Sequence, residues 1–404
     1  MSHPRKLSDW LEGFVEYAKE TEAPTRFWTW SGLFILGSAM QRKVWIDYGV
    51  QKIYPNLFVV LVAPPGRCRK AAPIKEAKRL LGDIGVSLGV ESTTKRALTQ
   101  DLAAANRTEV PSKAFKFPIV HSSLSIVSEE LSSLLHQDVR TIIEALTDLY
   151  DCGPSWKYKT ATQGEDKIIA PFVSLLAATT PAWLSSNLPL EAIGGGFTSR
   201  IVFAPAVERV SRLAWPKLGD YEPLLADLKK IHELKGEASF SPEAKGFYQE
   251  WYEGKIDKQY YKEVQDERFH PFLERVHAHV LKASLGFMAS EGPELIIQKS
   301  HIEKAIKAIE ELLPDLPQVL AGRGKNRLGG ETFKIMAFLQ KRQTALLKEI
   351  NENFWTEVSE WDLRQILRQL KDMGKVEVEW VDGPKGLVER IKWTGGAREK
   401  SLVP

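Results

Sequence analysis

The chain has 404 residues, enough for two or three domains, and its 43% hydrophobic and 26% charged residues are typical of a globular protein. A formal net charge of only +3 excludes a uniformly basic protein, so any nucleic-acid surface must be local. Its two cysteines exclude a disulfide framework and a cysteine zinc cluster. The sequence has no secretory signal and no run of eighteen apolar residues, so we expect a cytoplasmic protein without a membrane span.

The first fifty residues predict a helical collar. Residues 7–20 carry apolar side chains at i, i+3, i+4 and i+7, which is typical of an amphipathic helix. Residues 27–40 show a second and more apolar helical pattern. No linker separates this collar, residues 1–50, from the predicted core, residues 51–210.

The core prediction depends on residues 57–81, LFVVLVAPPGRCRKAAPIKEAKRLL. A mostly β-branched run up to Val62 predicts a buried strand, which two prolines and a glycine end at residues 64–66. Apolar residues at helical spacing follow Lys70. Strand, glycine-containing turn, lysine and helix is the layout of a phosphate-binding loop, in which backbone N–H groups face the phosphates and the lysine reaches the terminal ones.

The loop departs from the consensus G-x-x-x-x-G-K-[ST]. No glycine stands at the first consensus position, none directly precedes Lys70, and Ala71 replaces the hydroxyl residue. The pattern alone therefore fits a nucleotide site and an ordinary buried strand–turn–helix equally well. The candidate nucleotide-binding residues are Pro65, Gly66, Arg67, Cys68, Arg69, Lys70, Ala71 and Ala72.

Two further apolar strands end in polar residues. The strand over residues 124–127 is followed by Glu129 and Glu130, which in a phosphate-loop ATPase would hold Mg²⁺ and polarise the attacking water. The alternative is that both acids only start the helix predicted at 130–136, because acids favour a helix N-terminus. A third strand, over residues 172–178, ends at Thr179 and Thr180, where a hydroxyl would sense the γ-phosphate or serve as turn chemistry.

Two segments around the third strand carry candidate basic residues. Residues 155–168 alternate Trp156 and Tyr158 with Lys157 and Lys159 and turn near a glycine, which predicts a hairpin. Lysines suit phosphate backbones and aromatic rings suit base stacking, although the same pattern fits a solvated surface hairpin. Downstream, three consecutive glycines precede Arg200, which would serve either as an arginine finger across a subunit interface or as a structural ion pair.

The last part of the chain predicts a helical region and a separate small domain. Residues 211–321 are mostly helical in pattern and include Arg275, and residues 322–330 form a glycine-rich basic linker. Residues 331–396 show three helices followed by two strands, the order of a winged helix, which binds DNA or serves as a protein-contact domain. One face of its third helix carries the candidate DNA-contacting residues Arg364, Arg368 and Lys371.

Together these motifs resemble a family of phage- and plasmid-encoded helicase-like ATPases. The resemblance covers most of residues 7–320, and this family usually continues its loop with Lys-Ser-Thr where this chain has Lys-Ala-Ala. The residues that carry it are Pro24, Phe27-Trp28, Tyr54-Pro55-Asn56-Leu57, Pro64-Pro65-Gly66, Arg69-Lys70, Ser128-Glu129-Glu130-Leu131, Leu149-Tyr150-Asp151, Ala170-Pro171 and Gly196-Phe197-Thr198-Ser199-Arg200.

The wider layout is similar to the AAA+ branch that includes minichromosome maintenance and viral superfamily 3 helicases. Those proteins project a hairpin into the pore of a hexamer. The resemblance implies that residues 155–168 are this hairpin and that Arg200 is a finger acting in trans. It also implies that Thr179 or Thr180 is the first nucleotide sensor and Arg275 the second.

The sequence therefore predicts an α/β phosphate-loop ATPase with a C-terminal winged helix. Its function would be that of a ring-forming, ATP-driven DNA helicase or translocase in the replication of a phage or other mobile element. It would use ATP and Mg²⁺ and act on single-stranded or forked DNA as a hexamer, with a replication initiator or primase as a further partner. The alternatives are a nucleotide-binding but poorly hydrolysing DNA-loading factor, since Ala71 removes the Mg²⁺ hydroxyl, and a winged-helix regulator.

Overall fold

The structure is a computed structural model in which the chain divides into two compact units, Met1–Val319 and Leu320–Pro404, called here the N-terminal and C-terminal units. No helix among the described residues is long and apolar enough to cross a membrane. The described residues are 5–109, 118–136, 138–160, 164–189, 191–193, 195–254, 259–320, 329–356, 358–383 and 386–395.

Helices and strands alternate through the first two thirds of the N-terminal unit. In chain order they are α1 (Trp10–Tyr17), α2 (Thr25–Met40), β1 (Val44–Asp47), β2 (Lys52–Ile53), β3 (Phe58–Val62), α3 (Ala71–Asp83), β4 (Leu88–Gly89), α4 (Lys95–Ala104), β5 (Asn106–Glu109), β6 (Ile119–Ser128), α5 (Leu131–Leu135), α6 (Val139–Tyr150), β7 (Ser155–Thr160), β8 (Gly164–Ile169), β9 (Pro171–Thr179), α7 (Pro181–Asn187) and β10 (Ile201–Pro205).

Five of these strands form the parallel sheet at the centre of the N-terminal unit. Their order across the sheet is β10-β3-β9-β6-β4, and β5 pairs with β6 in antiparallel direction. Every residue of β3 and β9 is buried, which explains why these central strands have mostly apolar sequences. The α/β class with a parallel sheet, which the sequence predicts, is therefore confirmed.

Parallel pairing gives the sheet two different edges. At the carboxyl edge the strands β3, β9 and β6 end side by side, because Val62 pairs with Thr179 and Ser128 pairs with Ala177. In open α/β sheets, ligands bind in the crevice outside this edge. The opposite amino edge is where the same strands begin.

The second part of the N-terminal unit is largely helical. The long helix α11 (His270–Glu291) packs against α2. Gly286 permits this close approach, because a Cβ at this position would lie 2.8 Å from Leu33 Cδ2. Residues 206–220, which the sequence predicts in part as helical, form an irregular segment instead. The elements are α8 (Glu222–His232), β11 (Gly236–Glu237), β12 (Ser239–Phe240), α9 (Pro242–Gly254), α10 (Tyr261–Glu263), α11 (His270–Glu291), β13 (Ile296–Ile297), α12 (Lys299–Glu310) and α13 (Leu316–Val319).

The C-terminal unit has its own small core. It packs apolar residues of its helices against an antiparallel sheet whose strands, in spatial order, are β14 (Thr344–Leu346), β16 (Gly386–Trp393) and β15 (Val376–Gly383). The sequence pattern predicts the three helices and the last two strands but not the short strand before the second helix. Most of the predicted linker, 322–330, lies outside the described residues. The elements are α14 (Gly329–Arg342), β14 (Thr344–Leu346), α15 (Leu347–Phe354), α16 (Glu360–Asp372), β15 (Val376–Gly383) and β16 (Gly386–Trp393).

Candidate nucleotide-binding site

A cleft of about 460 Å³ lies at the carboxyl edge of the parallel sheet. Three segments form it: the loop between β3 and α3, the end of β6, and the end of β9. It is lined by Pro65, Gly66, Cys68, Arg69, Lys70, Ala71, Glu129, Glu130, Ser132, Ala178, Thr179, Thr180 and Trp183. The structure thus brings most of the predicted nucleotide-site residues into one cleft, although they come from three separate stretches of sequence.

The loop after β3 has an unusual backbone at two positions. Gly66 has φ +68° and Arg69 has φ +49°, both in the left-handed region that favours glycine. Arg69 stands where the phosphate-loop consensus has its second glycine, so the loop keeps a glycine-like conformation with an arginine in that place. Its guanidinium donates to the carboxylate of Glu22 over 2.5 Å, and this ion pair fixes the loop against the N-terminal collar.

Glu22 is a buried residue whose carboxylate accepts hydrogen bonds from three donors. Besides Arg69, it accepts from Arg209 over 3.3 Å and from the backbone N–H of Leu213 over 3.2 Å. The hydrogen bond from Arg69 holds the pKa of this carboxyl below its usual value, with the backbone donor adding to the effect. The local pattern of the sequence gives no sign of this residue, because its partners lie 47 and 187 positions away.

Lys70 occupies the N-terminal end of α3 and folds back over its own loop. Its Nζ donates to the carbonyl oxygens of Ala63, over 2.7 Å, and Pro64, over 3.4 Å. Burial lowers the pKa of Lys70, while Cys68 and Glu130 favour its charged form. Carbonyl oxygens are weaker partners for an ammonium group than phosphate oxygens, so an anion entering the cleft can displace them.

Glu129 and Glu130 follow the end of β6 and form the wall opposite the lysine loop. The Glu129 carboxylate is 45% exposed and lies 3.8 Å from Lys75 Nζ. Glu130 occupies the position before α5, yet its side chain does not cap that helix; its carboxylate accepts from Ser132 Oγ over 2.9 Å. Both acids therefore present oxygen atoms to the cleft instead of satisfying the helix start.

Thr179 and Thr180 end the central strand β9 between these two walls. Thr179 is buried, and its carbonyl accepts from the backbone N–H of Ala63 over 3.3 Å, so the strand end and the loop are in direct contact. The Thr180 hydroxyl caps α7 by accepting from the N–H of Trp183 over 3.2 Å. As an N-cap it keeps its own O–H for donation, so both roles considered for this residue are compatible.

The structure places Arg200 and Arg275 away from this cleft. Arg200 precedes β10, whose first residue pairs with the first residue of β3, so Arg200 lies at the amino edge of the sheet. It is 8% exposed, donates to the Gly196 carbonyl over 2.7 Å and forms an ion pair with Asp151. Arg275 Nη1 lies 3.6 Å from the same carboxylate. Neither arginine is in the lining of the cleft, and their roles as trans finger and second nucleotide sensor stay predictions.

Strands β7 and β8 form the antiparallel pair that the sequence predicts as a hairpin. Trp156 and Tyr158 stack with their ring centroids 6.1 Å apart, and Lys157 lies directly opposite Lys167. Both lysines are exposed, and like charges at opposite positions repel each other unless an anion lies between them. The side chain of Lys159 and residues 161–163 lie outside the described residues. Lys167 is not among the residues predicted to contact DNA, and the register of the two strands places it opposite Lys157.

In the C-terminal unit, Arg364, Arg368 and Lys371 share the exposed face of α16. The Arg364 guanidinium forms ion pairs with Glu360 and with Glu389 of β16, each over 3.2 Å. These carboxylates compete with any phosphate for this guanidinium. A phosphate that binds Arg364 would have to displace these carboxylates.

Comparisons with known proteins leave the family open. No protein-family model matches the chain, and no curated protein sequence matches it. Among solved structures, the chain is similar to a full-length MCM homologue from Methanopyrus kandleri, with 14% identity and a TM-score of 0.42 over 78% of this chain. The chain spans 62% of that protein's length.

Proposed function

We propose that this protein binds ATP in the cleft at the carboxyl edge of its parallel sheet and hydrolyses it to drive movement on DNA. One observation carries the proposal: a lysine, two carboxylates and a strand-end threonine, from three separate parts of the sequence, line the same cleft. Structural ion pairs do not account for Lys70 or Glu130, because Lys70 donates to the loop carbonyls of Ala63 and Pro64 and Glu130 makes no helix cap.

The residues of the cleft have distinct roles in this proposal. Lys70 leaves the Ala63 carbonyl and binds the β- and γ-phosphates, while backbone N–H groups at the start of α3 face the same oxygens. Glu130 accepts a proton from the attacking water while the oxygen of that water bonds to the γ-phosphorus. The bond from that phosphorus to the β,γ-bridging oxygen breaks, and ADP and phosphate leave. Thr179 donates to the γ-phosphate or to the water.

The cleft also suits Mg²⁺. In nucleotide sites this ion is bound by one or two carboxylates together with substrate phosphates and water, and no larger protein ligand set is needed. Glu129, with its accessible oxygens, fits that requirement, and the Ser132 hydroxyl on the same wall supplies a polar oxygen near it. Bound there, Mg²⁺ would neutralise charge on the phosphate oxygens.

Contact with DNA is proposed for the β7–β8 pair. The stacked rings of Trp156 and Tyr158 offer a platform for bases, and the opposed Lys157 and Lys167 attract a phosphate backbone. We extend the proposal to a hexameric ring in which Arg200 acts on the nucleotide of a neighbouring subunit, because it cannot reach its own cleft from the amino edge. The C-terminal unit would act as a winged helix on DNA or protein. The whole protein would act in the replication of a phage or other mobile element, as the sequence resemblance suggests.

A second candidate function has specific support. The loop lacks a hydroxyl at Ala71 and carries Arg69 at a glycine position, which are the two departures that would slow hydrolysis without preventing nucleotide binding. A DNA-loading factor that binds ATP and turns it over slowly fits these residues.

ATP turnover by the purified chain, with and without single-stranded DNA, tests the proposal. Motor function predicts turnover that DNA stimulates and that Lys70→Ala abolishes. The matched control is Lys78→Ala on the same helix, since Lys78 pairs with Glu91 outside the cleft. ATP binding without turnover would support the loading factor, and turnover that Lys70→Ala leaves unchanged would refute the site.

A further inference from the structure

An irregular segment, residues 206–220, leaves the sheet after β10 and runs along the N-terminal collar. Its backbone is attached at several points. The N–H groups of Val210, Lys217 and Gly219 donate to collar carbonyls over 2.8–3.2 Å, and that of Ala206 donates to Val62 over 2.8 Å. The segment is therefore held in place by its main chain while it contains neither helix nor strand.

This attachment leaves apolar side chains facing solvent. Trp215 is 86% exposed, and four other apolar residues between 207 and 218 are more than one third exposed. Single exposed apolar residues are common on protein surfaces, but five within twelve positions on a backbone held in place mark an interaction surface. The four are Val207, Val210, Leu213 and Leu218.

The segment borders the nucleotide loop. Arg209 and the backbone of Leu213 both donate to Glu22, the same carboxylate that holds Arg69 of the loop. Only the side chain of Glu22 therefore separates the exposed ridge, residues 207–218, from Arg69 of the candidate nucleotide site. Within the ridge, three basic residues outnumber the single acid Glu208.

A complementary surface lies beside α6, where residues 140–148 and the segment 189–197 line one cleft, called here the α6 cleft. This cleft of about 580 Å³ has the apolar residues Ile143, Ala192 and Phe197 in its lining. Its charged lining residues are three acids, Glu144, Asp148 and Glu191, with one arginine, Arg140, so its balance is negative where that of the ridge is positive. Gly196, whose carbonyl holds Arg200, belongs to the same cleft.

We infer that the ridge of one subunit docks into the α6 cleft of a second copy of this chain. Trp215 enters against Phe197 and its apolar neighbours, and Arg212 and Lys217 meet the acidic rim. Because the two surfaces differ and lie at different parts of the subunit, the contact is head-to-tail and can repeat around a ring. It brings the Gly196–Arg200 turn of one subunit towards the nucleotide loop of the next. The inference rests on the proposed function only for this last consequence.

Sedimentation velocity of the full chain over a concentration series tests the contact without any need for hydrolysis. We expect the wild type to self-associate and Trp215→Ala to weaken association by at least about thirtyfold, the loss typical of an interface hot spot. The control is Trp355→Ala, since Trp355 is another highly exposed tryptophan in the C-terminal unit, and it should associate like the wild type.

Charge reversal identifies the two partner surfaces. Arg212→Glu with Lys217→Glu, and separately Glu144→Lys with Asp148→Lys, should each weaken association, and the chain carrying all four changes should recover it. All of these residues are exposed, so the variants should keep the wild-type melting temperature. A wild type that stays monomeric, a Trp215→Ala variant that associates like Trp355→Ala, or a quadruple variant that does not recover would each overturn the inference. Association that depends on Trp215, in a chain that hydrolyses no ATP, would instead refute the motor function and leave the interface standing.

Discussion

The left-handed backbone at Arg69 leads to a prediction whose sign reverses within one loop. A residue with a Cβ in this conformation costs roughly 1–2 kcal/mol relative to a residue in an allowed one, and glycine avoids this cost. Glycine in turn loses about 0.5–1 kcal/mol to its greater freedom in the unfolded chain. Arg69→Gly and Arg69→Ala both remove the contact with Glu22, so that contact cancels when the two variants are compared. We expect the glycine variant to be more stable than the alanine variant by about 0.5–1 kcal/mol.

Arg67 provides the matched control two positions earlier. It is exposed and lies in the same loop, but its φ is not positive. Here glycine gains nothing from the backbone, so Arg67→Gly should be less stable than Arg67→Ala by about 0.5–1 kcal/mol.

The assay is urea denaturation of the four variants, in which a spectroscopic signal from the N-terminal unit monitors unfolding. If Arg69→Ala proves at least as stable as Arg69→Gly, the loop does not hold the left-handed conformation, and the reasoning that links Arg69 to the consensus glycine fails. An equal preference for glycine at Arg67 would show that the effect is not specific to the φ of Arg69.

Three further outcomes follow from the geometry. Glu130→Gln should still bind ATP but release phosphate at least about 10²-fold more slowly, as expected for loss of a general base, and unchanged turnover would exclude that role. Trp156→Ala should weaken binding of single-stranded DNA by about 1–3 kcal/mol, and Lys157→Ala should reduce the slope of log K against log[salt] by roughly 0.7; an unchanged affinity and slope would exclude the hairpin from the DNA site. Burial lowers the pKa of His121 to about 4 and that of His279 to about 3, from 6.5. The unfolded chain therefore binds protons that the folded chain does not, and stability should fall from pH 6.5 to about pH 4 by up to about 1.4 kcal/mol per pH unit for each histidine. Denaturant midpoints that do not change over this range would contradict the buried neutral state.

Local sequence patterns predict the parts of the fold that depend on local rules. The buried strand β3 and the helix α3 follow from a continuous apolar run, a proline-glycine break and helical spacing. The same rules indicate β6 and β9 and the polar residues at their ends. These residues line one cleft, and their chemical roles remain predictions.

What the sequence could not predict depends on long-range contacts and very short elements. Strands β4 and β14 have two and three residues, too few to show a period. The conformation of Arg69 and its contact with Glu22 have no local signature. Asp151 joins Arg200 to Arg275, residues 75 positions apart, and only the fold brings them together.

Equilibrium binding of ATP tests the central claim most directly, because nucleotide binding is the premise of every role assigned to the cleft. Calorimetric titration of the wild type with ATP and Mg²⁺ should give a single site per chain. Lys70→Ala should weaken it by at least about tenfold, the loss of a charge-assisted bond to phosphate, and Lys78→Ala should bind like the wild type. Absence of ATP binding, or equal affinity in both lysine variants, would contradict the account.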